Sequence, residues 1–130
     1  MKLGILFTVN AVIAAVFGCA FIVAPVQLLL FYGVGVTPGT VVVSRLFGAA
    51  LFGYGSLTWQ VRVAAPSDAL RAIVLSLFVA DGIGFFASLQ GVLSGAVNAM
   101  GWSTVVLYGA LCAAFGYFLF AKPAGSAAPR

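Results

Sequence analysis

The sequence predicts an all-α integral membrane protein built as a bundle of four transmembrane helices. Charged residues make up only 6% of the chain and hydrophobic residues 64%. Apolar stretches of about 20 residues separate the few charges, and a helix of about 20 residues crosses a hydrocarbon core of about 30 Å. These stretches are too long and continuous for the alternating strands of a barrel, so helices are expected.

The predicted spans form a single domain over residues 1–121 and are residues 3–24, 38–61, 69–93 and 102–121. Residues 25–32 are apolar but too short to span, so a turn or short helix at the membrane surface is expected there. Thr37 before Pro38 is a typical start of a helix, and Ser67 or Asp68 can cap the third span. Residues 122–130 are predicted to form a polar C-terminal tail.

The positive charges indicate an orientation. Five of the six lie at the chain ends or on either side of the second connection: Lys2, Arg62, Arg71, Lys122 and Arg130. The first and third connections carry no charge. Because positively charged loops stay on the cytoplasmic side, both termini are predicted to be cytoplasmic in a bacterial inner membrane.

Two charged residues lie deep inside spans. Arg45 is about 10 Å from the outer end of the second span, and Asp81 is about 20 Å along the third span from the inner side. The two depths therefore coincide in a core of about 30 Å. Since a lone charge at this depth is costly, we expect Arg45 and Asp81 to form an ion pair facing the bundle interior. Both a structural pair and a proton or ion relay are compatible with the sequence.

Small and polar residues share helical faces with these charges. Gly84, Gly91 and Gly95 follow Asp81 at helical spacing, and Gly48 follows Arg45, so these four glycines are expected to permit close helix packing. Gly91 and Gly95 also form a G-x-x-x-G motif. The candidates for a polar lining are Asn10, Ser56, Ser88 and Gln90.

Several classes of function receive no support from the sequence. The chain has no histidine and only two carboxylates, and no nucleophile and base occur in a recognisable arrangement. No catalytic residue, metal site or cofactor is therefore predicted, and nothing indicates nucleic-acid binding. The two cysteines, Cys19 and Cys112, fall within spans, where a free thiol behaves as a small hydrophobic group.

The chain resembles small bacterial four-helix inner-membrane proteins of the DoxX type in size and helix number. The resemblance rests on that architecture and on two tracts, Val-Asn-Ala at residues 9–11 and Arg-Leu-Phe-Gly-Ala-Ala at residues 45–50. It implies a four-helix bundle and no particular substrate.

These observations predict a non-enzymatic membrane protein that acts as a structural or accessory component, alone or in a larger membrane complex. The alternative is a small-solute or ion transporter or channel that works as a homo-oligomer. The connections are too short to form binding domains, so partners other than the lipid bilayer would have to contact the helix faces.

Overall fold

The computed structural model describes residues 1–121 and contains helices without strands over that range. The helices are α1 (Leu3–Val23), α2 (Pro25–Phe31), α3 (Pro38–Val61), α4 (Asp68–Leu93) and α5 (Gly101–Gly116), and α5 continues into a π-helical turn over Tyr117–Ala121. Four of these, α1, α3, α4 and α5 with its π-helical turn, are long and apolar enough to cross a membrane. The predicted four-helix fold is confirmed, whereas the predicted tail at 122–130 lies outside the described residues.

The helix starts are determined by local capping groups. The Thr37 hydroxyl accepts a hydrogen bond from the Thr40 amide at 3.1 Å, and the Thr40 hydroxyl accepts one from the Thr37 amide at 2.8 Å. The Ser67 hydroxyl accepts from the Leu70 amide at 3.1 Å. Each bond satisfies a backbone donor that the first turn of a helix leaves unpaired. The expected caps of α3 and α4 are therefore present, with Ser67 rather than Asp68 capping α4.

The bundle consists of two antiparallel helix pairs, and α1 and α3 form the first. Their backbones approach closely because the contact consists of small residues: a Cβ added to Gly48 would lie 2.7 Å from the Gly18 carbonyl oxygen. A Cβ on Gly55 would lie 3.1 Å from the Ala11 carbonyl oxygen and 3.2 Å from the Ala14 Cβ. Gly48 therefore packs as the sequence predicts.

The second pair, α4 and α5, packs aromatic rings against glycines. The Tyr108 ring lies over Gly84, so closely that an added Cβ there would come within 2.6 Å of it. The Phe85 ring covers Gly109 and the Phe78 ring covers Gly116. Gly84 is thus a packing residue, as predicted, although its partner is a ring and not a helix backbone.

The two pairs are joined at both ends. We call the end with Lys2 and the α3–α4 connection the termini end, and the opposite end the α2 end. At the termini end, buried apolar side chains of α1, α4 and α5 form one core, in which the Phe7 and Phe115 rings lie 5.9 Å apart. At the α2 end, Asn98 donates two hydrogen bonds of 2.9 Å: its backbone N–H donates to the Tyr32 carbonyl, and its side-chain amide donates to the Phe31 carbonyl. Apolar packing closes one end, and hydrogen bonds connect the other.

Candidate functional site

A cavity of about 850 Å³ lies between the two helix pairs. Along α1 it extends from Asn10 to Phe21, which is about 16 Å at the rise of an α-helix. The cavity therefore occupies the half of the bundle nearest the α2 end, and the apolar core fills the half nearest the termini end. Such a space inside a transmembrane bundle is a candidate binding site.

Asp81 of α4 lines this cavity and is 2% exposed. The hydroxyl group of Tyr54, on α3, donates a hydrogen bond to Asp81 Oδ1 at 3.2 Å. No described residue hydrogen-bonds to Oδ2. A buried carboxylate oxygen without a donor is costly in protein interiors, and such atoms are frequent at functional sites. Asp81 therefore faces the bundle interior, as the sequence predicts, with one of its two carboxyl oxygens left without a hydrogen bond from the described residues.

A second polar contact lies close to Tyr54 and connects α1 to α3. Asn10 and Thr58 are almost completely buried, and the Asn10 side-chain amide donates to the Thr58 hydroxyl at 3.4 Å. The Thr58 hydroxyl itself lies 3.2 Å from the Tyr54 carbonyl oxygen, to which it can donate. Asn10 and Tyr54 both line the cavity. Asn10, Tyr54 and Asp81 thus lie together at the end of the cavity nearest the apolar core, which we call its inner end. The other hydroxyl residues of the lining, Tyr32, Ser88, Ser103 and Thr104, lie nearer the α2 end.

The remaining wall is largely apolar and aromatic. Near the α2 end, the Thr104 hydroxyl donates to the Tyr32 hydroxyl at 3.1 Å, which links the α2 region to α5. Tyr108 forms part of the wall next to Gly84. The apolar side chains of the upper wall include Phe17, Phe21, Leu28, Leu29 and Phe47. The site is therefore a largely apolar chamber that opens to the outside of the bundle beside exposed lining residues such as Phe47 and Ala50, with its single carboxyl group at the inner end.

The expected ion pair between Arg45 and Asp81 is not formed. Arg45 is exposed and does not line the cavity, and Asp81 is bonded to Tyr54 instead. Tyr54 follows Arg45 by nine residues, which at 3.6 residues per turn places the two side chains on opposite faces of α3, about 180° apart. Asp81 bonds to a residue that lies about 13 Å further along α3 than Arg45. The expected match in depth is therefore not found, and the rotation of α3 about its axis also turns Arg45 outward.

Two of the four residues predicted to form a polar lining face the cavity, and two do not. Asn10 and Ser88 line the cavity. Ser56 and Gln90 are exposed on the outside of the bundle, where Ser56 accepts a hydrogen bond from the Gln60 side chain at 3.2 Å. The buried residues of α3 are Ser44, Gly48, Gly55 and Thr58, so Arg45 and Ser56 each lie one position beyond a residue of the contact face. That offset explains why Ser56 points away from the interior.

The G-x-x-x-G motif is not a helix-packing motif here. Gly91 lines the cavity, and a Cβ added to it would lie 3.7 Å from a Val97 methyl group. Gly95 lies beyond the end of α4 with φ at +75°, and no atom lies within 4 Å of an added Cβ. A positive φ favours glycine, which explains the residue as part of the turn after α4. The packing role predicted for Gly95 is therefore wrong.

Two residues of the site, Tyr54 and Tyr108, were not predicted from the sequence. Tyr54 lies four residues before Thr58, and Tyr108 lies four residues after Thr104. Such pairs of hydroxyl residues on one face of a transmembrane helix are a signal for an inward orientation. Neither residue is charged at neutral pH, so the pattern of charged residues does not identify them.

No protein-family model, curated protein or solved structure matches this chain. The resemblance to DoxX-type proteins stays a prediction from two short tracts and the helix number, and the site is interpreted from its own geometry.

Proposed function

We propose that this chain is a non-enzymatic membrane protein that binds a lipid-soluble small molecule in the cavity between its helix pairs. The observation that carries the proposal is the cavity itself, with the Tyr54–Asp81 hydrogen bond at its inner end. Its volume of about 850 Å³ falls within the range of small-molecule sites, which is about 300–1,000 Å³. Such sites combine apolar walls with a few converging polar groups, and this cavity has the same composition.

The packing elsewhere in the bundle supports a binding role over a purely structural one. The α1–α3 contact brings backbone atoms together at Gly18 and Gly48, and the core at the termini end buries Phe7 and Phe115 almost completely. Protein interiors are normally packed at crystal-like density. A bundle that only had to be stable would be expected to continue this packing to the α2 end.

The same packing favours a binding protein over an open channel. The apolar core around Val74 and Phe115 lies between the cavity and the termini end, and both side chains are fully buried. An ion path through this end would have to displace them. Transport by a homo-oligomer would therefore require a rearrangement of the bundle, whereas binding requires none. This proposal is compatible with a role as the ligand-binding accessory component of a larger membrane complex.

The location proposed is a bacterial inner membrane with both termini on the cytoplasmic side. The support is the distribution of positive charge: Lys2, Arg62 and Arg71 lie at or near the termini end, and the α2 end has no charged residue in its two connections. In this orientation the cavity lies in the outer half of the bilayer.

Binding of radiolabelled dodecanol to the protein in phosphatidylcholine nanodiscs tests the proposal. Dodecanol combines an apolar chain with one small polar group, which matches the composition of the cavity. The wild-type chain should bind it saturably above the background of protein-free nanodiscs. Ala50 lines the cavity and its neighbour Ala49 does not, although both are exposed on α3. Ala50→Phe should therefore weaken binding about tenfold or more by filling the space.

Ala49→Phe is the matched control, because it adds the same side chain to the adjacent position outside the cavity. It should bind dodecanol like the wild-type chain. Absence of saturable binding to the wild-type chain would contradict the proposal. Equal binding by the two phenylalanine variants would place the bound molecule outside the cavity and would contradict it too.

A further inference from the structure

The charge of the cavity wall restricts what the cavity can bind. Asp81 is the only acidic residue on the wall, and no lysine or arginine of residues 1–121 lines it. Of the six basic residues in the chain, Arg45 lies deepest within a span, and it is on the outer surface of α3. An anionic ligand would meet a carboxyl group and no counter-charge, so the wall favours a neutral or cationic molecule.

The atoms around Asp81 favour a donor group with a positive charge. Oδ1 accepts a hydrogen bond from Tyr54, while Oδ2 has no donor among the described residues and less than 1 Å² of exposed surface. A protonated nitrogen supplies both a donor and the missing counter-charge, and hydrogen bonds between such groups and carboxylates are stronger than neutral ones. The rings of Tyr54 and Tyr108 on the same wall can add cation–π attraction.

On the basis of the function proposed above, we propose that the ligand is a lipid-soluble amine whose protonated nitrogen binds to Asp81 and whose apolar part fills the chamber toward the α2 end. Asp81 is 2% exposed, so a neighbouring side chain must move for the nitrogen to reach Oδ2. Tyr54 lies next to the carboxyl group, because its hydroxyl donates to the other oxygen. The bound amine replaces or joins the tyrosine as a donor.

A comparison of dodecylamine, dodecanol and dodecanoate tests this inference. The three share one apolar chain and differ in the charge of the head group at neutral pH. Their binding would be measured on the protein in zwitterionic nanodiscs, so that the lipid surface does not select for charge. On the wild-type chain, dodecylamine should bind about tenfold tighter than dodecanol, the difference expected for one charge-assisted hydrogen bond. Dodecanoate should bind most weakly.

The two carboxylates of the chain provide a matched pair of variants. Asp81→Asn should bring dodecylamine down to the affinity of dodecanol. Asp68→Asn removes the same charge at the exposed start of α4, outside the cavity, and should preserve the preference. Binding of dodecanol by both variants reports that their cavities are intact. If Asp81→Asn does not fold, the order of the three probes on the wild-type chain and on Asp81→Glu decides.

The outcomes separate this inference from the function on which it rests. Saturable dodecanol binding without a preference for dodecylamine would overturn the amine and leave the binding function standing. A preference that persists in Asp81→Asn would likewise overturn the assignment to Asp81. Failure of dodecanol to bind the wild-type chain and Ala49→Phe would contradict the binding function itself.

Discussion

The hydroxyl group of Tyr54 donates a hydrogen bond to Oδ1 of Asp81 at 3.2 Å, and this bond connects the α1–α3 pair to the α4–α5 pair in the middle of the bundle. Elsewhere the pairs are joined by apolar contacts at the termini end and by Asn98 and Thr104 at the α2 end. The bond therefore has two consequences: it supplies a donor to a buried carboxyl group, and it links the two halves at the wall of the cavity.

Replacement of Tyr54 by phenylalanine should destabilise the protein. The substitution removes the donor to Asp81 and keeps the ring, so the loss should be about 1–3 kcal/mol in the free energy of unfolding. Reversible unfolding in mixed detergent micelles measures it. Tyr117→Phe is the control, since Tyr117 is exposed and its hydroxyl has no hydrogen bond within the described residues.

A double-mutant cycle with Asp81→Asn assigns this loss to the bond. If Tyr54 acts through Asp81, the double variant should lose less stability than the sum of the two single variants. Strictly additive losses would show that the tyrosine hydroxyl stabilises the bundle through some other group.

Gly48→Ala should destabilise the α1–α3 pair, whereas Gly53→Ala should not. A Cβ at Gly48 would lie 2.7 Å from the Gly18 carbonyl oxygen, while no atom lies within 4 Å of a Cβ at Gly53. Overpacking at Gly48 should cost about 1–3 kcal/mol. At Gly53 the better helix propensity of alanine should be neutral or should stabilise by up to about 1 kcal/mol. The same unfolding assay compares the two, and equal effects would rule out close backbone packing at Gly48.

Arg45→Ala should not destabilise the protein, because Arg45 has no ionic partner among the described residues and an outward-facing charge within a span is itself costly. Arg45 is exposed and lies on the face of α3 opposite Tyr54. Arg45→Lys serves as a control that keeps the charge. A loss as large as that of Tyr54→Phe, together with non-additivity with Asp81→Asn, would restore the ion pair that the structure does not form.

The proposed orientation predicts that the α3–α4 connection is cytoplasmic and the α2–α3 connection periplasmic. In a chain with Cys19 and Cys112 replaced by alanine, a cysteine at Ala64 should react with a membrane-impermeant thiol reagent only after the cells are opened. A cysteine at Gly35 should react in intact cells. Both positions are exposed in connections between helices, so their accessibility is comparable. The reverse pattern would invert the orientation inferred from the positive charges.

The span boundaries and the caps at Thr37 and Ser67 were correctly predicted because they depend on interactions that are local in sequence. Hydropathy over about 20 residues determines whether a segment can cross the membrane, and a cap involves residues within one turn. The inward position of Asp81 also followed from the sequence, since a carboxyl group at that depth avoids lipid whichever helices surround it.

The sequence by itself thus determined the number, length and polarity of the helices and the burial of Asp81. The tertiary structure decided the rotation of each helix about its axis, which depends on the close approach of Gly18 to Gly48 and turns Arg45 outward while Tyr54 faces Asp81. It also decided where space remains, because a cavity results from how the side chains of different helices fit together. Neither property is local: a rotation of α3 by one residue changes its partners without any change in its hydropathy.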